Sequence, residues 1–394
     1  MINVAKETQA DAIGMSGLLV KSTLIMRENL EELEAQNLSH LPVILGGAAL
    51  TRTYVERDLR SIYSGRLFYG KDAFEGLDVM NKLIDIKYGK LEDPEFGRKI
   101  SDKKVFRQIG GQGARSEAPA SFQRSPEVEV DNTIFSPPFI GTKVIKGIPL
   151  DEIAQYLNET ALYRHQWGYR PQNGESDAEF KTRIRGVLRQ VLDNAKKHQL
   201  LVPMVVYGYF PVASNGNDLL VYEDASKSRI LSTFTFPRQK KEPYLSISDF
   251  FRPVDAAETD YAAFHVVTMG TKVSEVAKQL FNENKYQDYL HLHGLGVEMA
   301  EALAEYWHRR VREEWGFADQ DGPTLSGLFK QQYRGGRYSW GYPACPDLED
   351  NLKVVVLLDA KRIGVEVSEE YQLHPEQTTT AIICHHPKAK YFIA

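Results

Sequence analysis

Two hydrophobic periods alternate along the first 88 residues. Short apolar runs at Asp11–Ser16, Leu41–Leu45 and Arg66–Tyr69 have the length of buried strands. Between and after them the spacing lengthens to that of helices. Ser22–Gln36 carries Leu24, Leu30 and Leu33 on one stripe and Glu28, Glu31, Glu32 and Glu34 on a wet face. Further helices are expected over Arg52–Ser61 and, capped by Asp72, over Ala73–Tyr88. Short strands separated by helices predict a doubly wound, Rossmann-like parallel α/β sheet. Three strands make a thin sheet, so this segment reads as truncated at its front.

From Gly89 to Asp131 the periodicity disappears. Gly110-Gly111-Gln112-Gly113 and the Ser-, Ala-, Pro- and charge-rich run Arg115–Pro126 read as a linker, or as a strap along another surface. Residues 132–394 mix the two periods without βαβ rhythm. Phe180, Ile184, Val187, Leu188, Val191, Leu192 and Ala195 mark an amphipathic helix. Val202–Pro211 reads as a strand, turned by Asn215-Gly216-Asn217-Asp218 into another at Leu219–Tyr222. Arg229–Phe236, Phe264–Met269, Gly364–Val367, Thr378–Cys384 and Lys390–Ile393 are strand-like, whereas Val273–Phe281, Tyr289–Trp315 and Glu349–Ala360 are helical. Helices and strands in runs predict an α+β domain with an antiparallel sheet.

Composition narrows the function classes. A net charge of −5 and a pI near 6.1 give no electrostatic case for nucleic acid or an anionic membrane. The longest apolar runs are too short to span a bilayer, and the N-terminus lacks the pattern of a signal peptide. Cys345 and Cys384 cannot build a disulfide framework. A cytoplasmic location is expected.

In an open parallel sheet, ligands bind beyond the carboxyl ends of the strands. There the first strand ends in Ser16-Gly17-Leu18 and the second in Gly46-Gly47, with twenty-seven residues between Leu18 and Gly46. A serine hydroxyl can bond a ring nitrogen, and paired glycines let a flat ligand touch the backbone. A generic βαβ unit explains the same spacing. The wording Gly14-Met15-Ser16-Gly17-Leu18 and Pro42–Ala49, however, resembles the cobalamin-binding domain of cobalamin-dependent methionine synthases. That resemblance implies a partial cobalamin site at Ser16, Gly17, Leu18, Val20, Gly46, Gly47 and Ala73. Ser16 would bond the lower-ligand base and the glycine pair would flank its tail. Val20 stands where some members have a polar contact. The family's Asp-x-His-x-x-Gly is absent, so the axial cobalt ligand is not expected from this chain.

The sharpest signal is Tyr333–Asp347, with three glycines and two prolines among aromatics, which excludes a regular helix or a central strand. Such a loop exposes backbone groups beside a guanidinium. Arg337 can grip a carboxylate, loop carbonyls can take an ammonium, and Tyr338, Trp340 or Tyr342 can wall an adenine or a sulfonium. A structural loop whose Arg337 pairs with a surface acid is the plainer alternative. The pattern Arg-x-x-x-Gly-Tyr-Pro-Ala-Cys-Pro is similar to the S-adenosylmethionine loop of the methionine synthase activation domain. The similarity extends through His291–Leu295, Glu301–His308, His374–Ala381 and Lys390–Phe392. It implies an S-adenosylmethionine site at Arg337, Tyr338, Gly341, Tyr342, Pro343, Ala344, Cys345, Tyr391 and Phe392, with Glu159 near the position of a family aspartate.

Cys384-His385-His386 with Cys345 invites a zinc reading, but neighbours on a strand face opposite ways and Cys384 reads as core. The family's zinc belongs to a homocysteine module that this chain does not contain, so no metal ligand is expected here. The resemblance implies a partial cobalamin-binding domain at 1–88, a linker at 89–131 and an activation domain at 132–394. The domain would present S-adenosylmethionine for reductive methylation of cob(II)alamin to methylcobalamin, within a methyltransferase of methionine biosynthesis. A flavodoxin-like electron donor and upstream homocysteine and folate modules are the implied partners. The sulfonium is its own leaving group, so no catalytic acid or base is nominated. The alternative is a non-catalytic S-adenosylmethionine-binding module or remnant that depends on a separate subunit for cobalamin and substrates.

Overall fold

The computed structural model describes residues 1–17, 20–47, 50, 52, 54–70, 73–98, 124–322, 324–368 and 371–394. Leu18, Asp72 and most of the predicted linker lie outside the described residues. The chain divides into two compact units, Met1–Ser116 and Glu117–Ala394.

The first unit runs α1 (Ile2–Glu7), β1 (Ile13–Ser16), α2 (Val20–Ala35), β2 (Val43–Gly46), β3 (Leu67–Gly70) and α3 (Ala73–Lys87). Its three strands are parallel, in the order β1-β2-β3. Leu30, Leu33, Val43, Leu45, Val55 and Leu67 form its core. The helix expected over Arg52–Ser61 is a π-helical turn at Tyr54–Leu59, which buries Val55 and Leu59. The residues after α3 fold back on β3. Arg66 donates to the carbonyls of Asp93 and Phe96, and Phe96 packs 4.6 Å from Phe68.

The second unit adds β4 (Gly141–Lys146), α4 (Leu150–Ala154), α5 (Asp177–Lys197), β5 (Met204–Asn215), β6 (Asp218–Tyr222), β7 (Ile230–Thr235), β8 (Asp260–Thr268), α6 (Lys272–Asn282), α7 (Tyr286–Trp315), α8 (Leu325–Phe329), β9 (Gly336–Ser339), α9 (Asp350–Leu358), β10 (Glu366–Val367), β11 (Leu373–His374) and β12 (Thr378–Cys384). A seven-stranded antiparallel sheet has the order β7-β6-β5-β8-β12-β9, with β4 also on β5. β5 is long enough that its first half pairs with β4 and its last four residues with β6. The sheet is covered on both faces. Val205, Tyr207, Tyr209, Ala263 and Ile383 pack toward α7, while Val206, Val212, Phe264 and Ile382 pack toward α9. Two-sided burial explains why these strands read as continuous apolar runs rather than alternating ones.

The expected strand at Lys390–Ile393 is not one. Its polar groups go to side chains and loops instead of a ladder: Tyr391 N donates to Gln331 Oε1, Lys390 Nζ to the Gln331 and Tyr333 carbonyls, and the Lys390 carbonyl accepts from Tyr338 Oη. The helix expected over Tyr289–Trp315 starts slightly earlier, at Tyr286, and includes His291 and His293. Residues 124–129 are strapped down, with Ser125 Oγ donating to the Pro243 carbonyl and Val128 buried.

Candidate functional site

The site forms where α7 passes the edge strand β9. Helix α7 runs thirty residues and ends where Gly316 turns left-handed and its N–H closes on the Arg312 carbonyl. Leu295, Met299, Leu303 and Val311 bury one stripe in the core. Glu298, Glu301 and Glu305, three and four residues apart, share another. Arg337 stands opposite Ile383 in the β9–β12 register, on the sheet face covered by α7. Tyr338, the next residue, faces the other way and stacks on Phe250 at 6.0 Å.

Beyond β9 the chain makes a tight turn. Gly341 has φ of 91°, its N–H donates to the Cys345 carbonyl, and Cys345 N–H donates to the Tyr342 carbonyl. The Cys345 thiol donates to the Ser339 carbonyl at 2.9 Å, and burial pushes its pKa up.

The result is a cavity of about 250 Å³, walled by Glu301 and Glu305 from α7, Leu328 and Phe329 from α8, Gln331 and Tyr333, Arg337, Tyr338 and Ser339 from β9, Tyr342, Ala344 and Cys345 from the turn, and Tyr391. Within it the Arg337 guanidinium lies 3.2 Å from Ser339 Oγ, 3.4 Å from Glu305 Oε2 and 4.0 Å from Glu301 Oε2. Burial works against that charge, and Glu305 and Glu301 more than offset it. The Glu301 carboxylate, then burial, push the Tyr342 phenol up to about 12. Tyr333 is held between Arg312, 4.2 Å from its ring, and Lys390, 5.2 Å away. One guanidinium beside two carboxylates suits a ligand that carries both signs of charge: an anion for Arg337 and a cation for Glu301, the more exposed acid.

The structure brings together Arg337, Tyr338, Tyr342, Ala344, Cys345 and Tyr391 of the residues expected at the S-adenosylmethionine site. Gly341 and Pro343 shape the turn without lining the cavity. Phe392 turns into the core against Phe250 and Tyr338, and Trp340 is buried with its Nε1 on Asp350. Glu159 lies elsewhere, with both oxygens held by Arg185 at 2.7 and 2.8 Å and one also accepting from Tyr163. The partners anticipated for Arg337 were a ligand or a surface acid, and two cavity-lining acids fill that place. Glu301 and Glu305 were missed because they look like the wet face of an amphipathic helix. Their three- and four-residue spacing with Glu298 was the available signal.

The cysteine–histidine segment divides between partners. His385 Nε2 lies 2.7 Å from Asp260 Oδ1 in the core, whereas His386 Nε2 meets the Glu129 carbonyl. Among the described residues no metal-type cluster of three side chains is present.

In the first unit, Ser16, Gly46 and Gly70 stand side by side at the carboxyl edge of the sheet. The glycines there are filled by their own neighbours. Gly47 has φ of 117°, and a Cβ on it would collide with the Gly17 backbone. Val20 and Ala73 begin α2 and α3. A cavity of about 590 Å³ opens at the other end of the strands, beside Asp11, His40 and Arg66, and carries no argument for this crevice. Ser16 and the backbone of Gly46 and Gly47 line this carboxyl edge. His40, the one histidine before His165, precedes β2 and so lies at the other end of the strands.

Fold and cavity together define an α+β domain with a charged, aromatic-rimmed pocket at a sheet edge. The family model described as vitamin B12 dependent methionine synthase, activation domain, matches residues 149–394, and the chain belongs to that family. It is similar to methionine synthase of Mycobacterium tuberculosis (strain H37Rv), 43% identical over all of this chain and 35% of that protein. It is also similar to methionine synthase of Mycobacterium leprae, 42% identical over all of this chain and 35% of that protein. The chain therefore spans about a third of the length of these relatives. A crystal structure of the MetH reactivation domain bound to AdoHcy shares the fold, with a TM-score of 0.61 and 23% identity over 66% of this chain and 83% of that one.

Proposed function

We propose that the cavity beside Arg337 binds S-adenosylmethionine and that the chain serves reductive methylation of a cobalamin within a longer methionine synthase. The observation that carries this reading is the pairing of Arg337 with Glu301 and Glu305 in one aromatic-rimmed cavity. Arg337 takes the methionyl carboxylate, and Glu301, the more exposed acid, takes the ammonium or the sulfonium. A volume of about 250 Å³ holds part of such a ligand. The rest lies at the mouth between Tyr342 and Tyr391, both about half exposed. The contribution of these residues is binding and orientation of a methyl group whose leaving group is already cationic.

Ser16, Gly46 and Gly47 would hold the tail of the cobalamin, which supplies the methyl-accepting cobalt. The cobalt ligand, the homocysteine and folate modules and a flavodoxin-like electron donor belong to other parts of the longer enzyme or to other proteins in this reading. Support for these comes from family membership. The reading places the protein in the cytoplasm. Two free, buried cysteines suit a reducing compartment, and no helix among the described residues is long and apolar enough to cross a membrane.

Calorimetric titration of the chain with S-adenosylmethionine tests the site. Saturable binding is expected, weakened roughly 10–100-fold in Arg337→Ala through loss of a charge-assisted carboxylate contact. Absence of saturable heat, or equal affinity in the variant, would remove the assignment.

A further inference from the structure

The two acids beside Arg337 are not equivalent. The Glu301 side chain keeps 40% of its exposure and stands 4.0 Å from Nη2, so it can turn to water or to a cationic ligand group. The Glu305 side chain keeps 14% and stands closer to the same nitrogen, at 3.4 Å. Its carboxylate also bridges inward, with Oε1 3.9 Å from His308 Nδ1. His308 is fully buried, and neither ring nitrogen has a hydrogen-bond partner among the described residues.

The charged and titratable groups facing His308 come from five segments of the chain. They are Glu305 and Arg312 on its own helix, His265 on β8, Arg337 on β9, and Tyr333 with Lys390 from the segments beside α8 and the C-terminus. Burial, then Arg312 and Arg337, keep the imidazole neutral in the unliganded protein. A carboxylate gripping Arg337 through both terminal nitrogens needs the Nη2 position that Glu305 holds. Once displaced, Glu305 is a largely buried anion, 14% exposed, that has lost its counter-charge, which is unfavourable. His308 is the adjacent group that can restore neutrality, and the incoming carboxylate screens one of the cations that opposed its protonation.

We propose that Glu305 is a place-holding counter-ion for Arg337 and that a ligand carboxylate displaces it onto His308, which takes one proton from solvent at Nδ1. The new N–H donates to Glu305 Oε1, and no bond in the ligand changes. Glu305 and His308 are thus positioning residues that link binding to proton uptake. The inference rests on the assignment of Arg337 as the carboxylate anchor for S-adenosylmethionine.

The test is calorimetry of the 394-residue chain with S-adenosylmethionine at about pH 7.5 in buffers of different ionisation enthalpy. Wild type is expected to take up between about half a proton and one proton per ligand, and its affinity to fall up to about tenfold per pH unit from pH 6.5 to 8.5. Glu305→Gln leaves no anion to neutralise, so its affinity is at least that of wild type at pH 8 and its uptake drops by the same amount. His308→Gln binds at least about fivefold more weakly at pH 7.5, and adding Glu305→Gln restores the affinity. Any titration of the ligand's own ammonium is common to all the proteins, so the difference between them reports the pair. Saturable binding with the same uptake in wild type and Glu305→Gln overturns the proton link alone. No saturable heat in wild type overturns the ligand assignment, and this inference with it.

Discussion

The two units solve the crowding at their strand ends in opposite ways. In the first, Gly17, Gly46 and Gly47 let backbone meet backbone, and the glycines' free space is taken up by the protein itself. Among its described residues only Thr23 is a buried polar side chain. In the second, the glycine turn after β9 opens onto a cavity, and the surrounding core buries Asp249, Asp260, His265, Glu298, His308 and Arg312. One unit is held by close backbone approach and apolar packing. The other carries buried charge that must be matched partner by partner. Glycine-rich strand ends therefore do not identify a ligand site by themselves. What surrounds them does.

The largest effect that would sharpen this contrast is expected from Asp260→Ala. Asp260 and His385 are each 1% exposed, and the aspartate also accepts from the backbone N–H groups of Arg252 and Tyr261. Removing one partner of a buried pair destabilises by roughly 3–5 kcal/mol. All four tryptophans lie in the second unit, so fluorescence-detected unfolding reads that unit directly. An unshifted fluorescence transition in the variant would show that the buried pair does not hold the unit together. Gly47→Ala makes the converse case. It forces a Cβ into the Gly17 backbone at a φ that L-residues rarely adopt, at a cost of about 3 kcal/mol. The calorimetric transition of the first unit should fall in temperature while tryptophan fluorescence stays as in wild type. If both transitions move together, the units do not behave as separately stabilised regions.

Much of this architecture was legible because periodicity survives in the local chain. The amphipathic stripe of Phe180–Ala195 became α5, and its capping box at Ser176 and Glu179 is local chemistry too. The Asn215–Asp218 turn closes the β5–β6 hairpin as its residues demand. Legibility ended where a residue's role depends on distant chain. Lys390–Ile393 has strand composition, but Gln331 and Tyr338 claim its backbone. Arg337 was recognisable from its own loop. Its partners Glu301 and Glu305 were not, because only the packing of α7 on the sheet brings them to it. Glu159 looked like a ligand carboxylate on local wording, and the fold commits it to Arg185.

The smallest effect tests whether buried charge in the second unit weakens the fold. Glu298 lies one turn from Glu301, is 8% exposed, and receives a hydrogen bond from Gln166 Nε2 at 3.0 Å. Burial raises its pKa to about 7, against an ordinary value of 4.5. The folded state thus holds this proton over a range in which the unfolded chain has already released it. The stability so contributed is fully present below about pH 4.5, declines as pH rises, and is gone above about pH 7. Glu298→Gln keeps the shape and a hydrogen-bonding partner for Gln166 but has no charge to bury. The variant should match wild type near pH 4.5 and exceed it by about 2–3 kcal/mol at pH 8, the gap opening between about pH 5 and 7. A gap that is constant across this range would mean that the glutamate is not titrating in the folded protein. A gap that opens as described would mean that the second unit gives up stability to keep a carboxylate beside its pocket, whereas Thr23, the polar side chain buried among the described residues of the first unit, carries no charge.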